Sequence, residues 1–123
     1  MKFKLLCATA IFAALLSGCA SNTRYHWAGY ADNVYQHEAN QLTDEEYLEK
    51  LVSGVQYAEK NNKLVPPGYY ADVGTAYLKL GDADSALAYY EKERNLWPES
   101  QYFMDTLIKG IKKNLDAFKG NAK

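Results

Sequence analysis

Apolar positions recur at helical intervals along the chain after residue 24, which predicts an all-α domain over residues 25–119. The first of them lie three, four and one residues apart, so they share one face of a helix that we expect to start at Tyr25. This first set is Trp27, Tyr30, Val34 and Tyr35. The polar residues at positions 37–41 predict the end of this helix.

A second helix is predicted to begin after Thr43, because Thr43-Asp44-Glu45-Glu46 has the form of a capping box with acidic residues in the first turn. Its apolar face comprises Tyr47, Leu48, Leu51, Val55 and Ala58. Asn61-Asn62 predicts its end. Pro66-Pro67-Gly68 forbids helix before it, and Pro67 is well placed to start the next helix.

Residues 67–100 follow the intervals of a tetratricopeptide (TPR) repeat, which is a hairpin of two helices. The positions that carry this pattern are Tyr70, Val73, Gly74, Tyr77, Gly81, Asp82, Ala86, Tyr90 and Pro98. Gly74 is expected to let the two helices approach closely, Gly81 to form the tight turn, and Pro98 to stop the second helix.

Two positions depart from the TPR pattern. Glu93 stands where a small residue is usual, and Trp97 stands where a polar residue usually precedes the proline. If Glu93 is buried, it needs hydrogen bonds, for which Tyr hydroxyls are the expected donors. The alternative is a solvated edge position beside Lys92 or Arg94.

A last apolar stripe predicts a capping helix over residues 99–119. The stripe is Met104, Leu107, Ile108, Ile111, Leu115 and Phe118. Its first members repeat the intervals of Tyr70, Val73 and Tyr77 after 34 residues, and Lys side chains make the opposite face polar, as a cap requires. We therefore expect about five helices in a short TPR-like array: a degenerate hairpin, one good repeat and a cap.

Residues 1–18 have the pattern of a secretory signal peptide, since a short basic head precedes an apolar run that is too short to span a membrane. Leu16-Ser17-Gly18-Cys19 resembles a bacterial lipobox, which predicts a diacylglycerol group and an N-acyl chain such as palmitate on Cys19. Residues 19–24 are then a short tether. Ala20 favours the outer membrane by the sorting rule of such lipoproteins. The alternative is a plain cleavable signal with a chance cysteine.

The composition of the chain limits the kinds of chemistry that it can carry out. The chain has 14 Lys and Arg against 15 Asp and Glu, a net charge of −1 that argues against nucleic-acid binding. Cys7 is expected to leave with the signal and Cys19 to be lipidated, so no thiol is left for a disulfide, metal or nucleophile. His26 and His37 make a poor zinc site, and no nucleophile motif is present. We expect a non-enzyme without a cofactor.

Several segments together resemble a family of small Gram-negative outer-membrane lipoproteins catalogued as a domain of unknown function. They are the lipobox, Tyr25-His26-Trp27 with Gly29-Tyr30, Pro66-Pro67-Gly68-Tyr69-Tyr70-Ala71, Glu91-Lys92-Glu93 and Leu96-Trp97-Pro98-Glu99-Ser100. The resemblance implies a neighbouring lipoprotein similar to the curli secretion channel as a partner in an envelope complex. Ala28 departs from the glycine expected after the Trp.

The leading functional prediction is a protein-binding scaffold on the periplasmic face of the outer membrane. Helical repeats bind in the groove of their first helices, here expected to display Gly68, Ala71, Thr75, Leu78 and Lys79, with Glu93 beside it. Self-association is a further possibility, since so short an array leaves apolar edges. The alternative is a peptidoglycan-binding or wall-enzyme-regulating lipoprotein whose aromatic side chains stack on sugars: Trp27, Tyr30, Tyr35 and Trp97. Near the tether, Tyr25, Trp27 and Tyr30 could instead lie in the membrane interface.

Overall fold

The computed structural model describes residues 24–121, so the signal peptide and the lipidation site predicted for residues 1–19 lie outside the described residues. The described part of the chain is all-α, as predicted, with five α-helices and one short 3₁₀ turn. In chain order they are α1 (Tyr30–Glu38), α2 (Asp44–Lys60), α3 (Tyr69–Lys79), α4 (Ala83–Leu96), the 3₁₀ turn (Pro98–Ser100) and α5 (Gln101–Asn121). None of the helices in this part of the chain is both long and apolar enough to cross a membrane.

The first helix begins at Tyr30, so the prediction of a start at Tyr25 is wrong. Tyr25 instead forms an isolated parallel bridge with Leu64, and the His26 N–H donates to the Leu64 carbonyl at 3.0 Å. Gly29 then takes a φ of 67°, a left-handed conformation that turns the chain into α1. The backbone of this segment therefore pairs with the α2–α3 connection before it becomes helical.

The predicted apolar face of α1 is also only partly correct. Tyr30 packs against the core formed by α2 and α3, whereas Tyr35 is 68% exposed. No residue of α1 is fully buried. This helix is therefore held by its edge contacts rather than by a buried stripe.

The start of α2 has the predicted capping box. The Thr43 hydroxyl accepts from the Glu46 N–H at 3.2 Å, and the Thr43 N–H donates to the Glu46 side chain at 2.9 Å. Leu51, Val55 and Ala58 form its buried face, as predicted. These two bonds satisfy backbone donors that have no partner within the helix.

Two predicted helix starts lie slightly too early. The third helix begins at Tyr69 rather than Pro67, because Gly68 takes a φ of 87° as the residue before the first turn. The capping helix begins at Gln101 rather than position 99, because Pro98–Ser100 forms the 3₁₀ turn. Trp97 precedes this turn in an extended conformation, to which a following proline restricts it, and the predicted stop after α4 is confirmed.

The α3–α4 hairpin contains the predicted close approach at Gly74. A Cβ atom at this position would lie 2.9 Å from the Tyr90 ring and 3.1 Å from the Ala86 carbonyl oxygen. Gly81 forms the turn with a φ of 85°, and the Asp82 side chain caps α4 by accepting from the Ser85 N–H at 3.0 Å. Only glycine at position 74 lets the two helices approach this closely.

Two buried clusters make up the core. The first joins α2, α3 and the connection between them: Leu51, Val55, Ala58, Val65, Tyr69, Tyr70, Val73 and Ala76. The second joins α4 and α5: Ala86, Tyr90, Met104 and Ile108. Tyr77 packs against both clusters, so the helices form one continuous stack.

Replacing Gly74 with alanine should destabilise the fold. Tyr90 is only 2% exposed, so its ring has little space in which to retreat from the added Cβ atom. We expect Gly74→Ala to lower the free energy of unfolding by about 1–3 kcal/mol. Thermal denaturation followed by circular dichroism measures this as a fall in Tm of roughly 4–8 °C per kcal/mol.

Gly110→Ala is the matched control, since Gly110 also lies inside a helix but nothing lies within 4 Å of its added Cβ atom. Alanine is the better helix former, so this variant should gain about 0.5–1 kcal/mol. Equal stabilisation by both substitutions would contradict the close approach at position 74.

Candidate binding groove

An open groove of about 400 Å³ lies where the turn before α1, the start of α3 and the start of α5 meet. We call it the acidic groove. Its lining residues are Trp27, Tyr30, Pro67, Gly68, Tyr69, Ala71, Asp72, Glu93, Ser100, Phe103 and Met104. Two of these side chains are carboxylates and, within this lining, no side chain is basic, so the groove carries negative charge.

Glu93 lies in the floor of the groove with its side chain fully buried. One carboxylate oxygen, Oε1, accepts from the Gly68 N–H at 2.7 Å and from the Ser100 hydroxyl at 3.0 Å. The other oxygen, Oε2, is buried and has no hydrogen-bond partner among the residues that the structure describes. The solvated edge position considered from the sequence is therefore wrong. The donors are a backbone N–H and a serine, not the Tyr hydroxyls that were expected.

The bond to Gly68 explains why a carboxylate is tolerated here. The Gly68 N–H belongs to the start of α3, where backbone donors have no partner within the helix and the helix dipole favours negative charge. Glu93 thus connects α4 to the beginning of α3, and Ser100 adds the 3₁₀ turn before α5. Three segments of the groove wall are positioned by one side chain.

Asp72 is the second carboxylate of the groove. The Tyr30 hydroxyl donates a hydrogen bond to Asp72 Oδ2, which connects α1 to α3. Burial raises the pKa of Asp72 above its usual range, while the hydrogen bond from Tyr30 opposes this increase. Burial, followed by the hydrogen bond to Asp72, also raises the pKa of Tyr30. The hydroxyl therefore remains a donor at any physiological pH.

Aromatic side chains form the rim. Trp27 is 49% exposed and Phe103 is 60% exposed, although both border the groove. The Trp27 ring lies 5.8 Å from the Tyr30 ring, which in turn lies 5.2 Å from the Tyr69 ring. The groove thus presents apolar surface at its rim and carboxylates deeper inside.

A second cavity of about 250 Å³ lies on the other side of Asp72. There Asp44 Oδ1 accepts from Lys79 Nζ at 2.8 Å and is 2.7 Å from His37 Nε2, while the His37 ring stacks on Tyr47. Lys79, and then His37, hold the pKa of Asp44 below its usual value. These three polar side chains contact one another and join α1, α2 and α3.

The structure brings together part of the predicted binding set. The acidic groove contains four of those side chains, which were proposed on separate grounds: Trp27, Tyr30, Ala71 and Glu93. Gly68, expected in the groove of the first helices, lines it as well. Sequence reasoning missed Asp72, Ser100 and Phe103. The sequence offered one signal for these three residues, which is that they lie close to predicted groove residues. Asp72 and Phe103 lie in the first turns of α3 and α5, and Ser100 lies just before α5.

The remaining predicted residues lie elsewhere. Thr75 and Lys79 line the second cavity, and the Thr75 hydroxyl bonds to the Ala71 carbonyl and is 2.9 Å from the Tyr90 hydroxyl. Leu78 is 39% exposed outside both cavities. Trp97 packs against Tyr25 with 6.0 Å between ring centroids.

The four sugar-stacking candidates do not form one surface, because only Trp27 and Tyr30 border the groove. Of the two histidines, His26 packs on Tyr57 at 4.4 Å and His37 on Tyr47 at 4.2 Å. Over residues 24–121, no group of three or more His, Cys, Asp or Glu side chains is placed to hold a metal ion.

A family model described as "Domain of unknown function (DUF4810)" matches residues 24–107, which is more than half of the chain. The match includes every residue that lines the acidic groove. It agrees with the resemblance to a domain-of-unknown-function family seen in the sequence. No curated protein and no solved structure matches the chain.

Tyr30→Phe should destabilise the protein, since it removes the donor to Asp72 and leaves a half-buried carboxylate with less support. We expect the free energy of unfolding at neutral pH to fall by about 1–2 kcal/mol, measured by urea denaturation. The matched control is Tyr35→Phe, because Tyr35 is 68% exposed on the same helix. This control should change stability by less than about 0.5 kcal/mol.

The effect of Tyr30→Phe should also depend on pH. Because the pKa of Asp72 is raised in the folded protein, ionisation of this group lowers stability as the pH rises through that pKa. This loss is absent below about pH 4, which is close to the pKa of an Asp side chain in an unfolded chain. Without the Tyr30 hydroxyl the folded-state pKa rises further, so the variant should lose more stability at neutral pH than in acid. An equal loss of stability at neutral and at acidic pH would contradict the role assigned to Asp72.

Proposed function

We propose the following function for this chain, which belongs to a family described as a domain of unknown function, DUF4810. The protein is a lipid-anchored, non-catalytic subunit of an envelope complex, held at the periplasmic face of the outer membrane. There it binds another protein through the acidic groove. The groove, with exposed aromatic residues around one buried and one half-buried carboxylate, is the observation that carries this proposal.

The anchor rests on the sequence. Leu16-Ser17-Gly18-Cys19 follows a short apolar run, as in bacterial lipoproteins, and Ala20 favours the outer membrane. With Cys19 lipidated, only residues 20–23 separate the lipid from the described residues, a distance of at most ~14 Å. The groove would then lie close to the membrane, within reach of other anchored proteins.

A role in protein binding is supported by the helical hairpins. The α3–α4 hairpin has the spacing and the close glycine contact of a TPR-like repeat, and α5 follows as a capping helix. Proteins built from such repeats bind partners on the surface formed by their first helices. In this chain, the acidic groove involves the N-terminal ends of α3 and α5, which hold that position.

The carboxylates of the groove support binding rather than catalysis. Asp72 is held by the Tyr30 hydroxyl, and Glu93 by the Gly68 N–H and Ser100. Each of these carboxylates therefore has a structural partner that fixes its position. The resemblance to small outer-membrane lipoproteins favours a curli-channel-like lipoprotein as the partner, and a second copy of the chain is the other protein candidate.

Crosslinking in intact cells followed by mass spectrometry tests this proposal. We expect crosslinks to another envelope protein for the unaltered chain and their loss in Cys19→Ala, which has no lipid acceptor. Cys7→Ala is the matched control, because Cys7 lies in the predicted signal peptide and is not the acceptor. Labelled palmitate should be incorporated into the control and not into Cys19→Ala.

Two results would contradict the proposal. Incorporation of palmitate into Cys19→Ala would exclude Cys19 as the lipid acceptor. Abundant anchored protein with no protein crosslinks would exclude the scaffold role, and sedimentation with purified peptidoglycan sacculi would then identify the cell wall as the target.

A further inference from the structure

The acidic groove has an unbalanced charge. Asp72 and Glu93 both line it, and the rest of the lining is aromatic, aliphatic or neutral. Carboxylates in a partly enclosed apolar space attract a cation more strongly than carboxylates on an open surface, because the surrounding dielectric constant is lower. The charge of the groove therefore favours an occupant that carries positive charge.

Among the described residues, the basic side chains next to Glu93 in sequence and the lysine of α3 pair with carboxylates outside the groove. Lys92 and Arg94 flank Glu93 in sequence, but Lys92 Nζ lies 3.0 Å from Glu59 and Arg94 Nη1 lies 3.1 Å from Asp105. Lys79 of α3 is 2.8 Å from Asp44, in the second cavity. Because no described basic side chain lines the groove, a cation supplied by another molecule would balance its charge.

Glu93 provides a second, independent indication of a ligand. Its side chain is completely buried, its Oε1 oxygen has two donors, and its Oε2 oxygen has none among the described residues. A buried carboxylate oxygen without a donor is unfavourable, since burial removes the water that would otherwise bind it. An incoming N–H donor would remove this deficit.

We propose that the acidic groove binds a basic side chain, arginine above all, from a segment of the partner protein that also carries an adjacent apolar residue. This inference rests on the proposed protein-binding function and names the chemistry of its partner. A guanidinium group donates to two carboxylates at once and stacks on aromatic rings, which matches Asp72, Glu93 and the Trp27 indole. The adjacent apolar residue contacts the exposed Phe103 at the rim.

Site-specific photocrosslinking in intact cells tests where the partner binds. Phe103 is replaced by the photoreactive p-benzoylphenylalanine in the full chain. The neighbouring position 102 receives the same residue as the matched control, because Tyr102 is 87% exposed but does not line the groove. We expect a protein adduct from position 103 and at least about fivefold less from position 102, as adjacent helix positions face different directions. Mass spectrometry of the adduct should identify a segment of the partner with Arg or Lys next to an apolar residue.

Charge-neutral variants then test the chemistry. Asp72→Asn and Glu93→Gln keep the size of each side chain and an oxygen acceptor, and both should reduce the adduct from position 103 by about tenfold. Glu99→Gln is the control, since Glu99 is an exposed carboxylate near the groove that does not line it. It should leave the adduct unchanged. Thermal melting of each variant separates a change in binding from a loss of folding.

A measurement on the unaltered protein keeps the test independent of these substitutions. The full chain in detergent micelles is titrated with the peptide acetyl-Leu-Arg-Leu-amide and with the same peptide containing citrulline, which has the shape of arginine without its charge. Chemical shifts of the Trp27 indole and the Gly68 amide report binding in the groove. We expect the arginine peptide to bind about tenfold more tightly than the citrulline peptide.

Other outcomes would overturn the inference in distinguishable ways. An adduct from position 102 alone would mean that a protein binds outside the groove, which excludes the inference and the groove as the binding surface but keeps the protein-binding role. An adduct from position 103 that is insensitive to both charge-neutral variants, or equal affinity for the two peptides, would exclude the basic side chain. Adducts only with a second copy of the chain would exclude a separate partner. Adducts only with peptidoglycan, or none from either position, would exclude both the inference and the proposed function.

Discussion

The hydrogen bonds of the buried Glu93 carboxylate are the contact on which the rest of the groove depends. One oxygen of this side chain joins α4 to the start of α3 through Gly68 and to the 3₁₀ turn before α5 through Ser100. Removing a carboxylate from water costs several kcal/mol, and an apolar side chain of similar volume would fill the same space at lower cost. What Glu93 adds is a fixed geometry, because its two donors set where α3 begins relative to α5.

The two sides of the groove are held with different strength. On one side, α3, α4 and α5 share buried clusters, and the Gly74–Tyr90 contact allows almost no change in the α3–α4 distance. On the other side, α1 contributes no fully buried residue and is attached through the Tyr30–Asp72 and His37–Asp44 hydrogen bonds and aromatic contacts. Segments with few buried contacts open at low free-energy cost. The groove therefore combines a rigid floor with an adjustable wall, so that an occupant can alter its width without disturbing the core.

Local patterns account for most of what could be predicted from the sequence. The Thr43 capping box, the buried face of α2, and the Gly74 approach follow from residues within a few turns of one another, and the structure contains all three. The predicted start of α1 was wrong because Tyr25 forms a bridge with Leu64, which lies far from it in the chain. Hydrophobic periodicity does not indicate such a pair. Only part of the groove was predicted for the same reason, since its residues come from four separate segments of the chain. Asp72 and Phe103 were missed because each lies next to a buried apolar residue that dominated the interpretation of its helix.

The position of the carboxylates determines how selective such a groove can be. Apolar walls alone would accept any apolar segment, because the hydrophobic effect has no direction. An apolar occupant of this groove would displace water from around Asp72, leave Glu93 Oε2 without a donor and lower the local dielectric constant, which makes the two charges more costly. The groove therefore discriminates between two kinds of occupant. An occupant without a hydrogen-bond donor raises the free energy of the two carboxylates, whereas an occupant with a donor forms hydrogen bonds to them. The burial of Glu93 and the partial burial of Asp72, which add nothing to stability, are the features that would make this groove selective.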